Sequence, residues 1–209
     1  MTIEQYISSM NKTQQVLQYK ILKEKLSSIQ DNEHRVFLKT VYANLARVGE
    51  VVRGRYKTNP PLARSNFEAT DNLLLTTILT EKTGRVRTVP CARIDDPNQE
   101  YFKQNEAWLT EDIIAYTKVF DNFVWDKSTR WGQYVFKKYF GEYNSHIHLL
   151  RHWRASHLLS GVATGVPVPE RVVAKMGGWV GTSTLTRVYD GTIVEDYVSV
   201  KREGSELNG

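Results

Sequence analysis

Apolar positions recur at helical spacing from the start of the chain. Val16, Leu17, Ile21, Leu22, Leu26 and Ile29 form one stripe flanked by Lys20, Lys23 and Lys25, which predicts an amphipathic leading helix. From Glu33, the positions Val36, Phe37, Val41, Leu45, Val48 and Val52 predict a second helix that ends near Gly54, before a loop marked by Pro60 and Pro61. The rhythm then changes. NLLLTTILTEKTGRVRTVP, residues 72–90, is rich in β-branched residues, breaks at Thr83 and Gly84 and resumes at Val86, which predicts a strand, a tight turn and a strand closed by Pro90. A polar loop over 95–100 leads to a helix start at Thr110, Glu111 and Asp112, with helical pieces continuing to Phe140 before Gly141 and Asn144 interrupt the chain. In HIHLLRHWRASHLL, residues 146–159, Leu149, Leu150, Trp153, Leu158 and Leu159 share one broad apolar face, while His148 and Arg151 project together on another. Leu185 and Val188 suggest a short helix capped by Ser183 or Thr184. Ile193, Val194, Tyr197 and Val198 suggest one more helical stripe, and residues 203–209 read as a loose tail. The pattern is α+β, mainly helical with a small antiparallel sheet.

Composition narrows the class. A chain of 209 residues, 41% hydrophobic and 24% charged, can bury a sizeable core. No apolar run approaches the ~18–20 residues of a membrane span, and the first ten residues lack the order of a signal peptide, so an intracellular protein is expected. The single Cys91 excludes an intrachain disulfide, leaves too few thiols for a structural zinc site and fits a reducing compartment. A net charge of +5 favours a polyanionic partner, though it also suits ordinary basic enzymes. Four of the five histidines fall within residues 146–157. They could be satisfied boundary groups. His148 and His152, four apart, could share a metal, but Leu149 stands where an HExxH motif needs Glu and no third ligand is evident. The third use is anion capture, with the planar guanidinium fork of Arg151 beside a histidine that exchanges protons near neutral pH.

Matching parts lie elsewhere in the chain. HLLRHWRASHLL resembles the second signature box of the tyrosine recombinase and phage integrase family, a His-x-x-Arg pair followed by His. YANLARVGEVV, residues 42–52, is similar to the first box and puts the family's first catalytic arginine on Arg47 and its supporting acid on Glu50. LTEKTGRVRTVP is similar to the family's lysine-bearing β-turn, with the catalytic lysine on Lys82 and with Arg87 and Pro90 in register. MGGWVGTSTLTRVYDG resembles the final box, with Trp179 at the His-or-Trp position and Tyr189 as nucleophile. Here Gly-Gly-Trp replaces the commoner Gly-His, and the gap from Trp179 to Tyr189 is about one residue longer than usual.

The resemblance implies a mainly helical tyrosine-recombinase catalytic domain over residues 33–202, preceded by an N-terminal amphipathic helix or linker over 1–32 and followed by a flexible tail over 203–209. It also implies a site-specific recombinase or integrase of a virus or mobile element. Tyr189 would attack a DNA phosphodiester to give a 3′-phosphotyrosine, with Arg47 and Arg151 holding the charged oxygens. Lys82 would act as general acid, His148 would assist proton transfer, and Trp179 would supply one phosphate hydrogen bond and packing. His152 and His157 take supporting or structural places, and Arg154 a structural or backbone-phosphate contact. No cofactor, metal or small-molecule substrate is implied. The partners would be double-stranded DNA and further copies of the chain in a tetrameric synapse, with the C-terminal stripe packing either on a neighbour or within the chain. Each residue has a plainer reading: Arg47 and Glu50 as a surface pair, Lys82 as a turn lysine, Tyr189 and Trp179 as core aromatics. A catalytically inactive DNA-binding accessory protein and a type IB topoisomerase-like enzyme are the alternative functions, and Tyr197 is the substitute nucleophile.

Overall fold

Asp31 accepts the backbone N–H of His34 at 3.0 Å and starts α2, Asn32–Ala43, satisfying one of the free donors of a helix start. Val36, Phe37, Leu38, Val41 and Tyr42 on this helix expose no surface. A helix buried on so many sides is a central element, and the others gather round it. The computed structural model describes residues 17–54, 60–81, 83–143 and 146–182. Packed on α2 are α1 (Tyr19–Ser27), the short α3 (Val48–Val51), α4 (Ala107–Thr117), α5 (Thr129–Phe140) and α6 (His148–Ser160). Helix α7 (Glu170–Gly177) packs on α6 and on the sheet. The sheet is antiparallel in the order β1 (Phe67–Ala69), β2 (Leu73–Leu79) and β3 (Val86–Ala92). Among the described residues no helix is long and apolar enough to cross a membrane.

The predicted hairpin is present, with Leu79 opposite Val86 and Ile78 opposite Arg87. Strand β3 runs past Pro90, however. Ladder bonds at Thr80–Arg85 and Asn72–Arg93 fix the alternation so that Pro90 falls at a non-bonded pair. Its missing N–H faces the edge on which no strand lies among the described residues, and costs no ladder bond there. Strand β1 and helix α7 add to the predicted elements, and α4 starts three residues before Thr110.

The single helix predicted from Glu33 to Val52 is two helices. Helix α2 ends at Ala43, and Leu45 adopts a left-handed φ of 47° before α3 begins. Leu45 is fully buried, so the apolar period continues through a place where the backbone does not. Asn44 donates its side-chain amide to the Thr40 carbonyl at 2.9 Å, the local competition by which Asn ends helices.

A buried polar cluster underlies α6. The Arg154 guanidinium binds both Glu106 oxygens, and both residues are completely buried. Tyr19 donates to Glu106 at 3.3 Å and accepts from the Trp108 indole at 3.0 Å. His157 donates through Nε2 to the Leu17 carbonyl at 2.7 Å, so its Nδ1 accepts from the Tyr42 hydroxyl at 2.8 Å. Arg154 is thereby structural: with its guanidinium enclosed by Glu106, it has no face for a phosphate.

Candidate active site

Glu50 is the organising group. It lies on α3, 1% exposed, and four donors converge on its two oxygens. Oε1 accepts from the Arg47 guanidinium at 2.9 Å and from the Glu81 backbone N–H at 3.3 Å. Oε2 accepts from the Arg47 backbone N–H at 2.9 Å and from Arg87 at 2.8 Å. Burial alone would raise its pKa, but Arg87, the Arg47 N–H and the charges of Arg151 and Arg47 outweigh it and hold the carboxyl below its ordinary value. Glu50 therefore stays ionised at neutral pH and fixes Arg47, whose side chain is 20% exposed, at the rim of the site. Its reach to Glu81 also ties the end of the hairpin, next to Lys82, to the Arg47 turn.

Arg151 enters from α6. Rather than projecting with His148 on an open face, it is wholly buried. It donates to the Leu45 carbonyl and, at 2.8 Å, to the Gly177 carbonyl, while its guanidinium carbon lies 3.9 Å from the centre of the Trp179 ring. Such stacking holds a cation over the electron-rich face of an indole. The strained left-handed Leu45 aims its carbonyl at this arginine, a cost of the kind found at functional sites. The Gly-Gly pair before Trp179 has a physical reason. A Cβ on Gly177 would sit 1.8 Å from the Trp179 ring, and Gly178 has a φ of +69°.

His148 opens α6 beside these groups. The residue is exposed, but its imidazole is partly shielded and pushed down to about 3 by desolvation, then by His152, Arg151 and Arg47, with Glu50 acting in the opposite sense. It is neutral at pH 7, but a weaker base than the near-neutral proton exchanger expected from the sequence. His152, pushed down to about 4 by desolvation and by Arg151, meets the His148 ring edge to face with 4.8 Å between centroids. Among the described residues no group of three His, Cys, Asp or Glu side chains is placed to hold a metal ion. Arg47, Glu50, His148, Arg151, His152 and Trp179 thus form one cluster built from α3, α6 and the segment after α7. Lys82, Tyr189 and Tyr197 lie outside the described residues.

Three guanidinium groups around one carboxylate leave the cluster net cationic, which suits an anion at the Arg47 rim. The third of them, Arg87, had no role assigned from its motif. A signal was present, since in a strand of period two Arg87 is in phase with the inward residues Val89 and Cys91, and a charge at such a position needs a partner.

No sequence-family profile and no curated protein matches this chain. Among solved structures it is similar to the XerH site-specific recombinase bound to palindromic difH substrate in a post-cleavage complex, with a TM-score of 0.55 and 16% identity over 81% of this chain. The match covers 46% of that structure's chain, so this chain spans about half its length. At this identity the likeness is one of fold: a mainly helical α+β arrangement with a small antiparallel sheet, shared with a site-specific recombinase.

Proposed function

We propose that this chain cleaves and rejoins double-stranded DNA through a tyrosine-linked intermediate, as a site-specific recombinase or integrase of a virus or mobile element. One observation carries the reading: Arg47 and Arg151, from boxes about a hundred residues apart, meet around Glu50 with a neutral His148 and Trp179 beside them. The fold shared with a recombinase bound to its substrate supports it. In this reading the Tyr189 oxygen attacks phosphorus, forming a 3′-phosphotyrosine as the bond to the 5′-oxygen breaks. The phenolic proton passes toward His148 and Lys82 protonates the departing oxygen. Arg47 donates to the non-bridging oxygens from the rim, and the buried Arg151 adds its fixed charge from beneath Trp179, where fixed charges outperform mobile water. Trp179 supports Arg151 by stacking and offers one indole N–H. A strand hydroxyl from a second duplex reverses the step, within a synapse of four copies.

The test is incubation of the protein with a pool of nicked suicide duplexes of randomised sequence, from which the cleaved fragment escapes. Wild type is expected to form a denaturant-resistant protein–DNA complex, and Tyr189→Phe to bind DNA without forming one. An undiminished complex in Tyr189→Phe rejects Tyr189 as nucleophile. DNA binding without any complex in wild type leaves an accessory binder, and a complex without joining of two sites leaves a nicking-closing enzyme.

A further inference from the structure

We infer that Arg87 is a positioning residue that locks the Arg47 turn to the segment carrying Trp179. What it positions rests on the function proposed above; that it does so is read from the contacts. Arg87 is 7% exposed and spans three separate pieces of chain. One terminal nitrogen donates to the Asn44 carbonyl at 3.0 Å and to the Met176 carbonyl. The other donates to Glu50 at 2.8 Å and lies 3.5 Å from the Leu45 carbonyl. Its aliphatic stem runs along Gly178, where a Cβ would lie 3.1 Å from Arg87 Cδ.

Arg151 bridges the same two strips of backbone, from Leu45 to Gly177. The two arginines form parallel clamps between the Leu45 turn and the C-terminus of α7. Arg151 lies under Trp179, while Arg87, from the sheet, also reaches the carboxylate that aims Arg47. Two features follow from a planar fork at this place. The carbonyls at the end of α7 gain cationic donors, which suits a helix C-terminus. A lysine could satisfy one or two of these acceptors but could not span all of them.

The groups facing Glu50 are Arg47, Arg87, Arg151, the His148 imidazole, which is neutral at pH 7, and the Glu81 N–H, so its titration reports the clamp. The experiment uses the full chain with Arg87→Gln and Arg87→Lys, checked for cooperative unfolding. Carboxyl carbon NMR of labelled glutamate follows Glu50, assigned with Glu50→Gln. Fluorine NMR of fluorotryptophan follows Trp179, assigned among the five tryptophans with Trp179→Phe. In Arg87→Gln the Glu50 titration is expected to move up by about one pH unit or more, a tenfold gain in proton affinity, with a displaced Trp179 resonance. Arg87→Lys should restore much of the Glu50 titration but not the Trp179 resonance. With a duplex recovered from the randomised pool, both variants at saturating protein should form the covalent complex at least about tenfold more slowly while affinity changes less than about threefold, the split expected when orientation rather than binding is lost.

A folded variant with unchanged Glu50 and Trp179 signals overturns the inference, as does a rate that falls only with the folded fraction. If Arg87→Gln does not fold, Arg87→Lys decides. If wild type forms no covalent complex with any duplex, the proposed function fails while the two NMR signals still judge the clamp.

Discussion

At Glu50, four donors from three segments share two oxygens, so its replacement is felt in several places at once. Glu50→Gln keeps the shape but leaves Arg87 buried without its counter-charge, and breaking a buried pair in this way costs about 3 kcal/mol or more. The expected result is a lowered urea midpoint together with loss of covalent complex; a variant as stable as wild type contradicts the role given to Glu50. His157 makes a different prediction. It is fully buried and its pKa is pushed down to about 3, by desolvation first and then by Arg154, against the Leu17 hydrogen bond. Below its ordinary value near 6.5, the unfolded chain binds a proton that the folded chain refuses, so stability falls as pH drops through this window. Between pH 7 and pH 5 the loss from this one group is on the order of 2 kcal/mol. Glu50 and Asp112, whose folded pKa values are lowered, add their losses only as pH falls below the ordinary carboxylate range. Urea unfolding of wild type and His157→Gln at the two pH values checks this, and equal slopes for both proteins refute it.

At the scale of elements, the long apolar periods were legible and the breaks between them were not. The apolar face of α6, with Leu150, Trp153 and Leu158 in the core, follows the spacing of those residues. The turn at Leu45 does not, because periodicity reports which side chains are buried and is blind to a residue whose buried side chain sits on a left-handed backbone. Arg151 illustrates the same limit. Its spacing from His148 put the two on one face, but the last turn of α7 and Trp179 close over the arginine. The Gly177–Trp179 contact gives a direct prediction. Gly177→Ala should push the indole off Arg151, reduce covalent complex formation and lower stability by about 1–3 kcal/mol, the usual cost of overpacking. Combined with Trp179→Ala the clash is absent, so the double variant should be scarcely less stable than Trp179→Ala alone. Full additivity in thermal unfolding would falsify the contact.

Over the whole molecule, two buried ionic clusters follow one another along α6. The Glu50 cluster holds the candidate site, and the Arg154–Glu106 pair joins α6, α4 and β3, with Tyr19 and Leu17 adding the leading helix. Neither acid's burial was visible in composition, since Glu106 stands in a polar stretch and becomes internal only when α4 docks. The boxes around Arg47, His148 and Arg151 are readable as a resemblance in residue type and order, whereas the buried residues that contact them are set by three-dimensional fit. Arg154→Met should cost about 3–5 kcal/mol by leaving Glu106 buried and unpaired, and adding Glu106→Gln should recover part of the loss. Equal losses for single and double variants in urea unfolding would contradict the pairing. The central claim is that a tyrosine oxygen reaches a phosphorus atom held at the Arg47 rim, above the buried charge of Arg151. Mass spectrometry of the peptide carrying the nucleotide, recovered from a trapped complex on a nicked suicide duplex, measures this most directly. The modification is expected on Tyr189 in wild type and absent in Arg151→Gln; a modification on Tyr197 or any other residue, or one undiminished without Arg151, would contradict the claim.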